Sequence, residues 1–146
     1  MSPDGLATIG PLALQRFAAA GLSPDSVGGL TLGADPVAYA IAYASALAGP
    51  LVRAFTVRKE AKAHGTGRLI EGPFRAGDKV VVIEDVITTG GSALRAIESI
   101  RAAGGIVIGV LAVVDREEGG RERLAESGVP VLALATAAEV LRLVPQ

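Results

Sequence analysis

Val80-Val81-Val82-Ile83-Glu84-Asp85-Val86-Ile87-Thr88-Thr89-Gly90-Gly91-Ser92 is the stretch on which both fold and chemistry turn. Its first four residues are β-branched and apolar on both faces, the pattern of a strand buried in a parallel sheet. Glu84 and Asp85 end that run, and a turn rich in hydroxyls and glycine follows. Ser92 then opens a helix that reaches Ala103 and stops at Gly104-Gly105. In an open α/β sheet the carboxyl end of a strand is where ligands bind. The unpaired N–H groups of the helix that follows suit a phosphate. Carboxylates repel a phosphate beside them, unless the ligand also carries hydroxyls that donate to them. The ligand implied is a sugar phosphate, with its diol on Glu84 and Asp85 and its phosphate held from Thr88 to Ser92. The plainer alternative is a pair of solvent-facing acids before a well-capped helix. A bare strand–glycine loop–helix would leave that alternative ahead, but the Glu-Asp pair joined to Thr-Thr-Gly-Gly-Ser favours the ligand.

Outward from this stretch, strands and helices alternate. Val27 to Leu32 reads as a strand, and Asp35, at the N-cap with Pro36 in the first helical position, starts a helix through about Ala48. Leu51 to Val57 is the next strand, and a polar, glycine-containing stretch runs to about Gly67. Arg68 to Glu71 reads as a short antiparallel strand and Gly72 to Asp78 as a turn region. Ile106 to Val114 and Val129 to Ala135 are apolar strands, separated by a charged surface helix from Glu117 to Ser127. Thr136 caps a final helix. Ahead of Val27, a helix from Ile9 to Ala20 offers Leu12, Leu14 and Phe17 to the sheet edge. The expectation is one α/β domain over residues 1–146, with a mostly parallel sheet and helices on both faces.

Composition narrows the function classes. Half of the 146 residues are apolar and mean hydropathy is +0.47. The longest apolar run, Val37 to Leu47, is nevertheless too short to span a bilayer. No basic region followed by an apolar signal stretch opens the chain, so a cytoplasmic protein is expected. There are no cysteines and a single histidine, which excludes disulfides and thiolate zinc sites and argues against a dedicated histidine metal site. Formal net charge is −1. The five aromatics, Phe17, Tyr39, Tyr43, Phe55 and Phe74, do not interleave with cations as a nucleic-acid surface requires.

A second stretch, Val57-Arg58-Lys59-Glu60-Ala61-Lys62-Ala63-His64-Gly65-Thr66-Gly67, gathers two of the three lysines beside the lone histidine, in a chain with eleven arginines. A generic surface loop has no reason to cluster them, and Gly65 and Gly67 add the backbone freedom of a closing lid. Such cations suit a reaction whose leaving group is highly anionic. They stabilise departing charge more in the transition state than in the ground state. One such contact at ~4 Å in an effective dielectric of ~20 is worth about 4 kcal/mol before desolvation, set against enzymatic barrier reductions of about 8 kcal/mol or more. Leu32-Gly33-Ala34-Asp35-Pro36, after the first strand, offers backbone N–H groups that could approach an anion, although an ordinary βα turn explains it nearly as well.

The stretch from Val80 to Ser92 resembles the signature with which type I phosphoribosyltransferases bind 5-phosphoribosyl pyrophosphate (PRPP). Phe55 to Gly67, with Ile70-Glu71-Gly72, is similar to the mobile catalytic loop of the orotate phosphoribosyltransferases, and the likeness runs from about Gly28 to Leu134. The resemblance implies transfer of the 5-phosphoribosyl group from PRPP to orotate, giving orotidine 5′-monophosphate and pyrophosphate. It implies that Arg58, Lys59, Lys62 and His64 bind pyrophosphate, with Lys62 the catalytic cation. Glu84, Asp85, Val86, Ile87, Thr88, Thr89, Gly90, Gly91 and Ser92 would bind PRPP, with Asp85 also catalytic, and the turn at Gly33 would hold pyrophosphate. Thr88 and Arg116 would contact orotate; from the residues alone, a helix-start surface residue explains Arg116 as well. Magnesium is implied as cofactor, held through PRPP near Glu84 and Asp85 rather than by dedicated protein ligands. The resemblance also implies a homodimer whose lids are shared across the interface. Orotate phosphoribosyltransferases usually carry an N-terminal hood with a lysine and aromatics over orotate. Met1 to Gly10 offers no phenylalanine pair and no lysine precedes Lys59, so either a truncated start or a hoodless variant is expected. The rival readings are a phosphoribosyltransferase for another base and a non-catalytic PRPP-binding paralogue.

Overall fold

Val27, Val81, Ile83 and Leu111 on one side of a sheet, and Val57, Val80, Val82 and Val110 on the other, are buried in two separate clusters. This two-sided burial is what the apolar strands demand. The computed structural model describes residues 1–60 and 69–143. Its elements are α1 (Pro3–Ala19), β1 (Ser26–Leu30), α2 (Ala34–Ala48), β2 (Arg53–Val57), β3 (Ile70–Glu71), β4 (Lys79–Ile87), α3 (Gly91–Ala102), β5 (Ile106–Asp115), α4 (Gly120–Ala125), β6 (Val131–Thr136) and α5 (Ala137–Leu143). The strand order is β3-β2-β1-β4-β5-β6. Every pairing is parallel except β2 with β3. Helices α1 and α2 cover one face through Ala13, Phe17, Val37 and Ile41. Helices α3 and α4 cover the other through Ala96, Ile97, Ile100 and Leu124.

The expected α/β architecture stands, with differences at element ends that have physical causes. Helix α1 begins at Pro3 rather than Ile9: Ser2 Oγ accepts from Gly5 N at 3.2 Å and Pro3 occupies the first turn, where its missing N–H costs nothing. Pro11 lies inside this helix. At the neighbouring Gly10 an added Cβ would sit 2.4 Å from Ala40 O, so α1 and α2 approach closely here. Tertiary packing thus overrides a Gly-Pro pair that reads locally as a break. The charged helix expected over Glu117 to Ser127 shrinks to α4, because Glu117 (φ 59°) and Gly119 (φ 83°) are both left-handed and leave Arg116–Gly119 as a loop. Thr136 does cap α5, in a reciprocal box: Glu139 N donates to Thr136 Oγ1 at 3.2 Å, and Thr136 N donates to a Glu139 carboxylate oxygen at 2.8 Å.

At the amino ends of the strands, buried Asp78 accepts from Arg53 Nη2 at 2.6 Å, Ser26 Oγ at 3.0 Å and Arg75 N at 3.0 Å. Burial alone raises this carboxyl, but Arg53 and the other donors outweigh it and hold it below its ordinary value. The exposed edge of β6 is covered from both faces. Arg16 of α1 donates to Ala133 O and Arg121 of α4 to Val131 O, each at 3.0 Å, occupying carbonyls that a foreign strand would otherwise pair with.

Candidate active site

The chain leaves β1 toward β2 on one side and returns through β4 toward β5 on the other, so the sheet has its switch point between the carboxyl ends of β1 and β4. The acids of the opening stretch lie there. Strand β4 runs through them to Ile87 instead of stopping at Ile83. Within a strand, side chains alternate faces. Glu84 therefore follows Val80 and Val82 toward α3, and Asp85 follows Val81 and Ile83 toward α2. Two acids that read as one pair are divided between two loops.

Glu84 is buried, 7% exposed, and its Oε1 has no hydrogen-bond partner among the described residues. Burial first, and then the charge of Asp85, push its carboxyl up from 4.5 to about 7. It lines a cavity of about 50 Å³ whose other walls are Val86 to Ala93. Asp85 is exposed, and its Oδ1 accepts from Val86 N at 2.8 Å. A Cβ added to Gly33, in the turn after β1, would lie 2.8 Å from the Asp85 carboxylate oxygens, so the turn and the acid are in close contact.

On the α3 side, Thr88 and Thr89 lead into Gly90, which is left-handed (φ 77°) and precedes a helix with no side-chain cap. The first N–H groups of α3, at Gly91, Ser92 and Ala93, are left for a ligand anion. This loop rests on a residue that sequence reasoning missed. At Gly120 an added Cβ would be 2.3 Å from Thr88 O and 2.9 Å from Gly90 N. The Gly119-Gly120 pair was visible in the sequence but was absorbed into an expected helix. Arg123 Nη1 adds a donor to Thr89 O at 3.3 Å.

On the α2 side the expected cap fails. Gly33 is the N-cap and makes no side-chain bond. The Asp35 carboxylate instead accepts from Thr31 Oγ1 at 2.6 Å and from Thr56 Oγ1 at 2.9 Å. A cavity of about 780 Å³ opens beside this turn, lined by Thr31, Leu32, Tyr39, Thr56, Arg58 and Lys59 among others. Arg58 donates to Glu71 Oε1 at 3.0 Å, and its backbone N donates to Leu69 O at 2.7 Å, joining the two ends of the cationic stretch. Lys59 is exposed, and its carbonyl accepts from Arg95 of α3 at 3.0 Å. Lys62 and His64 lie outside the described residues, as does Arg68 at the expected start of β3.

Arg116 sits directly after β5, and its backbone N donates to Ile87 O at 3.0 Å. That bond sets it beside Thr88, so the two residues expected to meet a base are brought together. Its guanidinium is exposed and paired with Glu118 at 2.6 Å. The loop is held by buried Asp115, whose Oδ1 accepts from Glu117 N at 2.8 Å. Among the described residues no cluster of metal-ligating side chains occurs, and no helix is long and apolar enough to cross a membrane.

Known proteins agree with this geometry. The phosphoribosyl transferase domain model matches residues 2–128. The orotate phosphoribosyltransferase of Aquifex aeolicus is 54% identical over 119 residues, covering 82% of this chain and 65% of that protein. That of Sorangium cellulosum is 45% identical over 140 residues, covering 93% and 71%. The chain thus spans slightly less than two thirds of the first of these relatives. The crystal structure of Mycobacterium tuberculosis H37Rv orotate phosphoribosyltransferase in complex with PRPP superposes with a TM-score of 0.79 at 40% identity, over 92% of this chain and 74% of that one. With a parallel sheet whose switch point carries the acid pair and the glycine loop, the chain belongs to the phosphoribosyl transferase domain family, in its orotate phosphoribosyltransferase group.

Proposed function

We propose that this chain, as a single cytoplasmic phosphoribosyltransferase domain, transfers the 5-phosphoribosyl group of PRPP to orotate. A ring nitrogen of orotate gives up its proton to water and bonds to the anomeric carbon while the bond from that carbon to the pyrophosphate oxygen breaks, the electron pair leaving with pyrophosphate. The observation that carries the reading is the buried, unpartnered Oε1 of Glu84 beside the bare amino end of α3. An acceptor and a set of donors a short distance apart match a ligand with hydroxyls at one place and a phosphate at the next. Thr88 to Ser92 hold the 5′-phosphate, Glu84 and Asp85 take the ribose hydroxyls, and Asp85 steadies positive charge growing on the ring. Arg58, Lys59, Lys62 and His64 receive the pyrophosphate, and Thr88 with Arg116 selects the base.

Glu84 Oε1 and the Asp85 carboxylate are hard oxygen donors, which fit a magnesium ion carried in by PRPP. Magnesium, when bound, draws negative charge from the pyrophosphate. A homodimer is supported by the exposed stripe of α2, where Tyr39, Tyr43 and Leu47 recur every four residues and Leu51 follows, each more than half exposed.

The purified chain with PRPP and magnesium should consume orotate, followed by its ultraviolet absorbance, and release pyrophosphate; turnover with adenine, hypoxanthine or uracil but none with orotate refutes the assignment. Gly120→Ala drives a methyl into the carbonyl of Thr88. A loop moved by up to about 1 Å should weaken PRPP binding roughly tenfold or more in calorimetry, while circular dichroism stays that of the parent. Unaltered PRPP affinity would show that the loop does not rely on this contact.

A further inference from the structure

We propose that Asp35 is a positioning residue for the pyrophosphate side of the site, fixing the Thr31–Gly33 turn against Asp85. This rests on the reaction proposed above. The geometry sets the direction of every proton in the network. A carboxylate has none to give, so Thr31 and Thr56 both donate to Asp35, at 2.6 and 2.9 Å. Each hydroxyl has one hydrogen, and that of Thr56 is committed. The 3.0 Å contact between Tyr39 Oη and Thr56 Oγ1 therefore runs from tyrosine to threonine. Three elements are tied at one half-buried carboxylate: the turn after β1 through Thr31, the end of β2 through Thr56, and the exposed face of α2 through Tyr39.

Two backbone bonds also tie the turn, Thr31 N to Val57 O at 2.8 Å and Asp35 N to Leu32 O at 3.2 Å. Leu32 is 80% exposed. Gly33 lies against the Asp85 carboxylate, a Cβ built there standing 2.8 Å from its oxygens. Asp35 thus sets the separation between the turn and the acid of β4, and with it the gap that PRPP must enter.

Asp35→Asn keeps the shape but replaces one acceptor with an amide donor, so one threonine hydroxyl must reverse. Magnesium pyrophosphate binding, measured by calorimetry, should weaken roughly tenfold, and the KM for PRPP should rise by a similar factor with that for orotate unmoved. A merely structural role would instead lower the active fraction, scaling kcat and leaving both KM values alone. Thr56→Val should weaken pyrophosphate roughly threefold, and adding it to Asp35→Asn should cost less than a further twofold, because both cut the same tie. Thr56→Val also carries the test should Asp35→Asn misfold. Equal pyrophosphate affinity in Asp35→Asn, Thr56→Val and the parent overturns the positioning role and leaves the reaction standing. A parent that binds pyrophosphate but never turns over orotate refutes the reaction alone, with a weakened Asp35→Asn still supporting the tie. No pyrophosphate binding by the parent overturns both.

Discussion

Lys62→Ala should lower kcat by roughly 10²-fold or more while PRPP affinity changes far less, as expected for loss of a preorganised transition-state donor. The reason is where charge moves. In PRPP the pyrophosphate shares its charge with a covalent ester; as that bond breaks, a further negative charge collects on the departing oxygen. A cation over that atom is worth more at the transition state than before it. At ~4 Å and an effective dielectric of ~20 its gross worth is about 4 kcal/mol, of which two to three remain after desolvation in a change of about a hundredfold. Lys62 lies outside the described residues and its assignment rests on the likeness of its loop. Single-turnover rates with PRPP and orotate provide the check, and an unchanged rate removes Lys62 from the mechanism.

Glu84→Gln should change how stability and ligand binding respond to pH. Burial, and then the charge of Asp85, push the carboxyl of Glu84 up from its ordinary 4.5 to about 7 in the folded chain. Below the lower value both folded and unfolded chains hold the proton, and burial is unopposed. As pH rises from 4.5 to about 7 the unfolded chain gives up its proton first, so stability falls, by about 3 kcal/mol in total for a shift of this size. Above the folded value no further loss occurs. Urea denaturation at a series of pH values should show this slope in the parent and not in Glu84→Gln; parallel curves would mean that Glu84 is not a buried, unpaired acid. Binding reports the same group. Ribose hydroxyls and a magnesium ion favour the ionised form, so PRPP binding near pH 7 should release about half a proton. Calorimetry in buffers of different ionisation heat measures it. Release that persists in Glu84→Gln would assign the proton elsewhere.

Much of this molecule is legible in one dimension because its signals are local. Val80 to Ile83 announces a doubly buried strand, and Thr88 to Ser92 announces a loop before a helix amino end. Both survive in β4 and α3 with shifts of only a few residues. The bond from Arg116 N to Ile87 O sets Arg116 beside Thr88, a neighbour far from it in the chain. What went astray did so where long-range contact outweighs local propensity. Asp35 reads as a helix cap because cap preferences are local, yet its partners Thr31 and Thr56 meet it only after β1 and β2 pair. Gly120 reads as part of a helix, although what it accommodates is a carbonyl thirty-two residues earlier.

From the amino-acid order alone come the parallel sheet, the strand that carries the acids, the glycine loop after it and the cationic stretch, since each depends on residues adjacent along the chain. Only the tertiary structure separates Glu84 from Asp85, because strand alternation sends one side chain toward α3 and the other toward α2 once β4 continues past them. It alone decides that one acid is buried and raised to about 7 while the other meets Gly33 in the open. Desolvation depends on what packs around a group, and those neighbours come from β1, α2 and α3, elements far apart in the chain.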